Sequence, residues 1–315
     1  MKNFAMLGKW HVHAPQYAEV LRKLPGCRVA KVWDPNEAVA QEWAKELGCE
    51  SASLENILAD ESIEGVVIGT ATNEHTQVIL RAVEAGKALF TEKVLALTNE
   101  DAELLRDAVI KHHTRFAISF PHINEAGVRF ALQTALSGKL GSVNYARVRK
   151  AHDGATAGWL PAHFFDAQAC GGGAMIDLGA HPMYLLCALL GEPERVQSEF
   201  TQVTGKGVED NAVSLIRFAN GAIGVSETGF VSRSYPFTVE IGGTEGGLLL
   251  RDNDVTYCCP ETDNKWRAPE ALPESLPLPL AQWALADKPE DIPAEIGIDV
   301  AVRLTRVMVA AYAAK

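Results

Sequence analysis

From residue 3 to about residue 121, short apolar runs alternate with longer amphipathic segments, and this alternation restricts the fold more than any other feature of the chain. Strand candidates are 3–7, 28–33, 65–69, 87–90 and 115–119, and helix candidates are 14–24, 36–47, 74–85 and 98–112. Strands separated in this way by helices pair parallel through right-handed crossovers, so a doubly wound α/β sheet is predicted. Local chemistry agrees. Pro15 suits a first helical turn, and Glu100, Asp101 and Glu103 open the last helix while Lys111 closes it, as the helix dipole prefers.

After about residue 140 the period changes. Val143–Arg149, Val213–Phe218 and Ile223–Thr228 alternate in the manner of half-exposed strands, and Ala219-Asn220-Gly221-Ala222 between the last two reads as a hairpin turn. A large, mostly antiparallel open sheet follows, with one face needing cover from helices, the first domain or another subunit. The Pro-rich stretch 269–279 reads as an extended surface segment, and 294–313 returns to a helical stripe of Ile296, Val300, Leu304, Val307 and Ala311. With 315 residues, two domains are expected: 1–121, with the helix 294–313 packing back on it, and 122–293.

A net charge of −11 without any basic block argues against nucleic acid and anionic membranes as partners. No apolar run reaches membrane-spanning length, and the N-terminal apolar run is too short for a signal peptide, so a cytoplasmic protein is expected. The six cysteines form no CxxC pair and are expected to be reduced thiols.

In a doubly wound sheet, ligands bind at the carboxyl ends of the strands. The first strand here ends at Gly8-Lys9-Trp10-His11-Val12-His13, where only the first glycine of a G-x-G-x-x-G fingerprint is present. Either a strand-to-helix turn without ligand or a modified phosphate loop fits that segment. Asp34, 26 residues after Gly8, stands where an acid accepts hydrogen bonds from an adenosine ribose and repels a 2′-phosphate, which favours NAD over NADP; a helix cap is its structural alternative. Thr70-Ala71-Thr72-Asn73-Glu74-His75 is a polar turn at a third strand end, with Thr72 or Asn73 available as a cap, and Glu92-Lys93 ends the next strand. A lysine directed into a cleft can take part in proton transfer. Gly171-Gly172-Gly173 allows close backbone approach, and Asp177 and His181, at i and i+4, share a face if one helix carries both. His152, Asp153 and His163 offer metal-ligand chemistry, but their spacing matches no compact motif, so no metal is expected.

Taken together, Gly8, Asp34, the Thr70–His75 turn, Ala85-Gly86-Lys87, Glu92-Lys93, Gly138-Lys139-Leu140-Gly141 and Gly171 through His181 resemble the Gfo/Idh/MocA family, the glucose-fructose oxidoreductase and inositol dehydrogenase group. The resemblance implies an N-terminal Rossmann domain and a C-terminal α/β domain whose open sheet builds homodimers or homotetramers. It implies hydride transfer between NAD and a carbinol carbon of a sugar or polyol, with Gly8, Trp10, His11, Asp34, Thr70, Thr72, Asn73, His75, Glu92 and Lys93 around the cofactor. Lys93 matches the lysine of a Glu-Lys-Pro motif, His181 the general acid/base, and Asp177 the acid that orients substrate or lysine. His122, Trp159, His163 and Phe164 become pocket candidates. This chain departs from the family pattern at Trp10, His13, Ala71 and Val94. Tightly bound NAD serving hydrolysis or epimerisation, and a non-catalytic ligand-binding relative, remain alternative readings.

Overall fold

The computed structural model describes residues 1–314, which fall into two compact units: Met1–Ser119 with Pro277–Val302, and Phe120–Leu276 with the residues from Arg303 on. In the first unit the order is β1 (Lys2–Leu7), α1 (Ala14–Lys23), β2 (Cys27–Trp33), α2 (Glu37–Leu47), β3 (Glu50–Ser51), α3 (Leu54–Ala59), β4 (Gly65–Ile68), α4 (His75–Glu84), β5 (Ala88–Thr91), α5 (Asn99–Lys111) and β6 (Phe116–Ile118). All pair parallel in the order β3-β2-β1-β4-β5-β6, as the alternation predicts. β4, β5 and β6 are buried at every position, which is why they read as unbroken apolar runs. The edge strand β3 and the short α3 carry too little periodicity to be seen in the sequence. Side chains of Asn36, Ser53 and Thr98 cap α2, α3 and α5 by accepting from backbone N–H groups. Trp283 is fully buried against Phe4 and Phe90, with its indole N–H on the Arg115 carbonyl (3.0 Å). The segment 277–293, expected in the second domain, therefore belongs with the first.

The second unit contains α6 (Ala126–Leu136), β7 (Val143–Ala151), α7 (Gly154–Ala157), α8 (Ala167–Cys170), α9 (Ala174–Asp177), α10 (Ala180–Leu190), β8 (Pro193–Thr201), β9 (Asn211–Phe218), β10 (Ile223–Gly229), β11 (Thr238–Gly243), β12 (Gly247–Arg251) and β13 (Asp254–Cys258). Its seven strands run β13-β12-β11-β7-β10-β9-β8, all antiparallel except the β7–β10 pair. Gly221, at φ 86°, turns the hairpin between β9 and β10. β9 alternates exposed and buried without interruption, and α10, nearly all apolar and buried, packs on β7 and β10. α11 (Pro279–Leu285) returns to the first unit, and α12 (Ile298–Ala313) begins there and continues into the second, so the expected helix 294–313 is not the property of one unit. Among the described residues, no single helix is long and apolar enough to cross a membrane.

Candidate functional site

The first unit assembles its polar residues at the carboxyl ends of β1, β2, β4 and β5. β1 and β4 are neighbours although β2 and β3 intervene in sequence, which makes this the switch point of a doubly wound sheet. Gly8 is required at the end of β1: its φ is 89°, and a Cβ there would lie 2.7 Å from the Thr70 backbone nitrogen. His11 N–H donates to the Gly69 carbonyl (3.0 Å), tying the loop to the end of β4. Asp34 accepts from Lys9 N–H through Oδ2 and from Asn36 N–H through Oδ1, both at 2.8 Å. The cap of α2 is Asn36, so Asp34 holds the first loop instead of capping the helix.

Thr70 is buried, Thr72 is half-buried and Asn73 is exposed in a 3₁₀ turn, Thr72–Glu74. Neither Thr72 nor Asn73 caps α4, whose flanking residue is Glu74. His75 is 1% exposed, with Nδ1 3.0 Å from the Val94 carbonyl. Burial pushes its pKa below the ordinary value, against the raising effect of the neighbouring carbonyls and Glu92. The unfolded imidazole takes up a proton at about pH 6.5 that the folded one refuses. Its stabilising contribution is thus complete above that pH and is lost as pH falls through the folded pKa, with a slope of at most about 1.4 kcal/mol per pH unit. Melting temperature should fall more steeply between about pH 7 and 5 in the wild type than in His75→Asn; parallel curves would refute this.

Glu92 is 1% exposed and collects several partners. Its Oε1 faces His13 Nδ1 (2.8 Å), His11 Nδ1 (3.4 Å) and the Tyr17 hydroxyl, which also lies 2.7 Å from Ser119 Oγ. Burial raises the Glu92 pKa, but positive charge on His11, His13 and Lys93 together with the His13 hydrogen bond outweighs burial and holds the carboxyl well below the usual range. Burial, then Glu92, raises the Tyr17 pKa, so the phenol stays a donor. Lys93 is 5% exposed; its N–H donates to Glu92 Oε2 (3.1 Å), and the Lys93–Val94 peptide is cis. Trp10 is half-buried beside His11.

In the second unit, Asp177 and His181 do not ride one helix. Asp177 ends α9, His181 lies in the first turn of α10, and the chain bends 52° between them. The glycine run before them is clamped: the Glu209 carboxylate accepts from Gly173 N–H (2.9 Å), Met175 N–H (3.1 Å) and the Tyr312 hydroxyl, and that hydroxyl accepts from Ile176 N–H (3.1 Å). His181, 5% exposed, has Nδ1 3.4 Å from Tyr184 Oη and meets the His122 ring edge-on at 4.8 Å. His122 stacks on Phe237 (4.9 Å), with Nδ1 2.6 Å from Glu125 and its N–H on the Tyr184 hydroxyl. Lys150 lies over the same Phe237 ring, and burial lowers its pKa.

A second group forms around His152, which stacks on Phe230 and touches Trp159; burial lowers its pKa, partly offset by the charge of Asp177. Trp159 is half exposed and donates to Asp153. Phe164 belongs to a buried cluster with Ala155, Leu160, Ala174, Leu178 and Phe230, so its ring is core and is not presented to a ligand. His163 packs beside Phe164. Among the described residues, His152, Asp153 and His163 form no metal-ligand group; the grouping of three donors is His11, His13 and Glu92. The sequence reading gave His13 no role of its own and missed Tyr17, Glu125, Lys150, Tyr184, Glu209, Phe237 and Tyr312. Only His13, two residues from His11, carried a local signal.

Comparison with known proteins follows the same division. Residues 2–120 match the model of an oxidoreductase family with an NAD-binding Rossmann fold, and residues 128–249 match the GFO/IDH/MocA C-terminal domain. Scyllo-inositol 2-dehydrogenase (NAD(+)) of Bacillus subtilis is 29% identical over 273 residues, covering 80% of this chain and 75% of that protein. Levoglucosan dehydrogenase of Pseudarthrobacter phenanthrenivorans is 29% identical over 260 residues, covering 72% of this chain and 66% of that protein, just under two thirds of its length. A solved levoglucosan dehydrogenase in complex with NADH superposes with a TM-score of 0.86 at 21% identity, covering 99% of this chain and 96% of that one. With both parts matched in order over most of its length, the chain belongs to the GFO/IDH/MocA family of NAD-binding oxidoreductases.

Proposed function

We propose that this protein transfers hydride between NAD and a hydroxyl-bearing carbon of a sugar, polyol or related ring. The observation that carries the reading is the convergence, at the switch point of the first unit, of the Gly8–His13 turn with Asp34, through Lys9 N–H, and with Glu92-Lys93, through His13 and Glu92. These residues fit the dinucleotide: Gly8 removes the side chain where backbone must come close, and Asp34 stands at the end of β2 where a ribose diol is read. When bound, NAD supplies the hydride acceptor or donor. Gly8, Trp10, His11, Asp34, Thr70, Thr72, Asn73, His75, Glu92 and Lys93 are assigned to holding it. Lys93 and His181 are assigned to moving the hydroxyl proton, and Asp177 to orienting substrate. His122, Trp159 and His163 are retained as substrate contacts: Trp159 is exposed, and His122 and His163 are partly exposed residues. Inositol and levoglucosan, the substrates named in the two relatives, define the class to try first. Absorbance of reduced NAD over a panel of inositols, anhydrosugars and aldoses is the test; no turnover, with no NAD binding at millimolar concentration by calorimetry, would sink the reading.

Two further assignments accompany it. Tyr145, Val213, Leu215, Ile223 and Leu249 leave an apolar band on the exposed sheet face, around the Arg147 ion pairs with Glu227 and Glu240, and this supports a homodimer or homotetramer built on that face. All six cysteines are unpaired, which supports a reducing, cytoplasmic setting.

The Asp34 carboxylate makes cofactor preference testable. NAD should bind more tightly than NADP, and Asp34→Asn, which removes the charge and keeps an acceptor, should narrow the ratio of dissociation constants by about 10-fold, or roughly 1.4 kcal/mol. Equal affinities in the wild type would remove Asp34 from the ribose site.

A further inference from the structure

We infer that His11, His13 and Glu92 form a site for one divalent transition metal ion of the zinc class. Their ligand atoms lie within 4.8 Å of one another in the first unit. In a tetrahedral zinc site, bonds of about 2.0–2.2 Å put neighbouring ligand atoms about 3.3 Å apart. His11 Nδ1 and Glu92 Oε1 are 3.4 Å apart, and His13 Nδ1 and Oε1, at 2.8 Å, need to separate by about half an ångström to reach that spacing. Two imidazoles and one carboxylate suit zinc, cobalt or nickel and disfavour magnesium or calcium, which take oxygen ligands.

The surroundings are those of a supported donor set. Glu92 Oε2 accepts from Lys93 N–H, leaving Oε1 toward both imidazoles, and Tyr17, itself bonded to Ser119, orients that oxygen. The His11 backbone is fixed by its bond to Gly69, and ligation at His11 Nδ1 replaces its present acceptance from His13 N–H (3.2 Å). His11 and Glu92 are buried, whereas the His13 side chain is 35% exposed, so a fourth position opens toward solvent. The inference rests on the geometry of these residues; because His11 and Glu92 are also assigned to the dinucleotide, metal binding is measured without NAD, so that failure of one reading is distinguishable from failure of the other.

The test is a cobalt titration of full-length protein freed of metal by dialysis against a chelator. One Co²⁺ per chain should bind with visible d–d bands that Zn²⁺ abolishes. His13→Gln and His11→Asn, shown folded by circular dichroism, should each weaken binding by more than about 100-fold, beyond the usual loss of an outer partner. Absence of the bands at millimolar Co²⁺, or wild-type affinity in both variants, overturns the site. X-ray absorption of the zinc-loaded wild type adds a measurement that needs no variant: an all nitrogen and oxygen shell containing two imidazoles supports the assignment, and sulfur ligands refute it.

Discussion

Lys93→Met and, separately, His181→Asn are each expected to lower turnover by about a hundredfold or more, the usual scale for losing a proton-transfer group. In His181→Asn, affinity for NAD should change by less than about threefold, because His181 is not among the residues assigned to holding the dinucleotide. Lys93 follows Glu92 at the end of β5 and is nearly buried, so it is not a solvated surface lysine. His181 is likewise buried, and its ring is set by Tyr184 and His122. Steady-state kinetics with a substrate found in the panel, set beside NAD binding by calorimetry, separates the two effects. Wild-type turnover in His181→Asn at every pH would reject its role, and attention would pass to His152 and His163.

Gly173→Ala should strongly destabilise the fold. A Cβ at Gly173 would lie 2.1 Å from the Glu209 carbonyl oxygen and 2.7 Å from Val208 Cγ2. That carbonyl already accepts from Ala174 N–H (2.8 Å), and the carboxylate of the same residue accepts from Gly173 and Met175. Making room therefore breaks buried hydrogen bonds as well as packing, at a cost of about 3–5 kcal/mol. Gly158→Ala is the control: its φ of 76° penalises a side chain, but nothing lies within 4 Å, so about 1 kcal/mol is expected. Urea midpoints followed by circular dichroism compare them, and equal shifts would contradict the steric account.

Much of the first unit was legible because parallel strands buried on both faces are short apolar runs, and crossover helices show their stripe in sequence. Asp34 was legible for the same reason: the end of β2 could be counted from the pattern. The pairing of Asp177 with His181 misled, because spacing alone assumes a continuous helix and cannot show a bend between α9 and α10. Phe164 misled in another way; an aromatic ring suits a sugar or a core equally, and only burial separates the two.

By itself the sequence determined the two kinds of sheet, the family and the strand ends where polar residues gather, since each depends on residues close in the chain or on fixed periods. The tertiary structure alone decided which distant groups meet. Glu92 reaches His13 across 79 positions and Tyr17 across 75, and Glu209 reaches Tyr312 across 103. No local period encodes such pairs: a buried carboxylate must find donors, but any of several side chains could supply them until packing fixes which ones lie within hydrogen-bond distance.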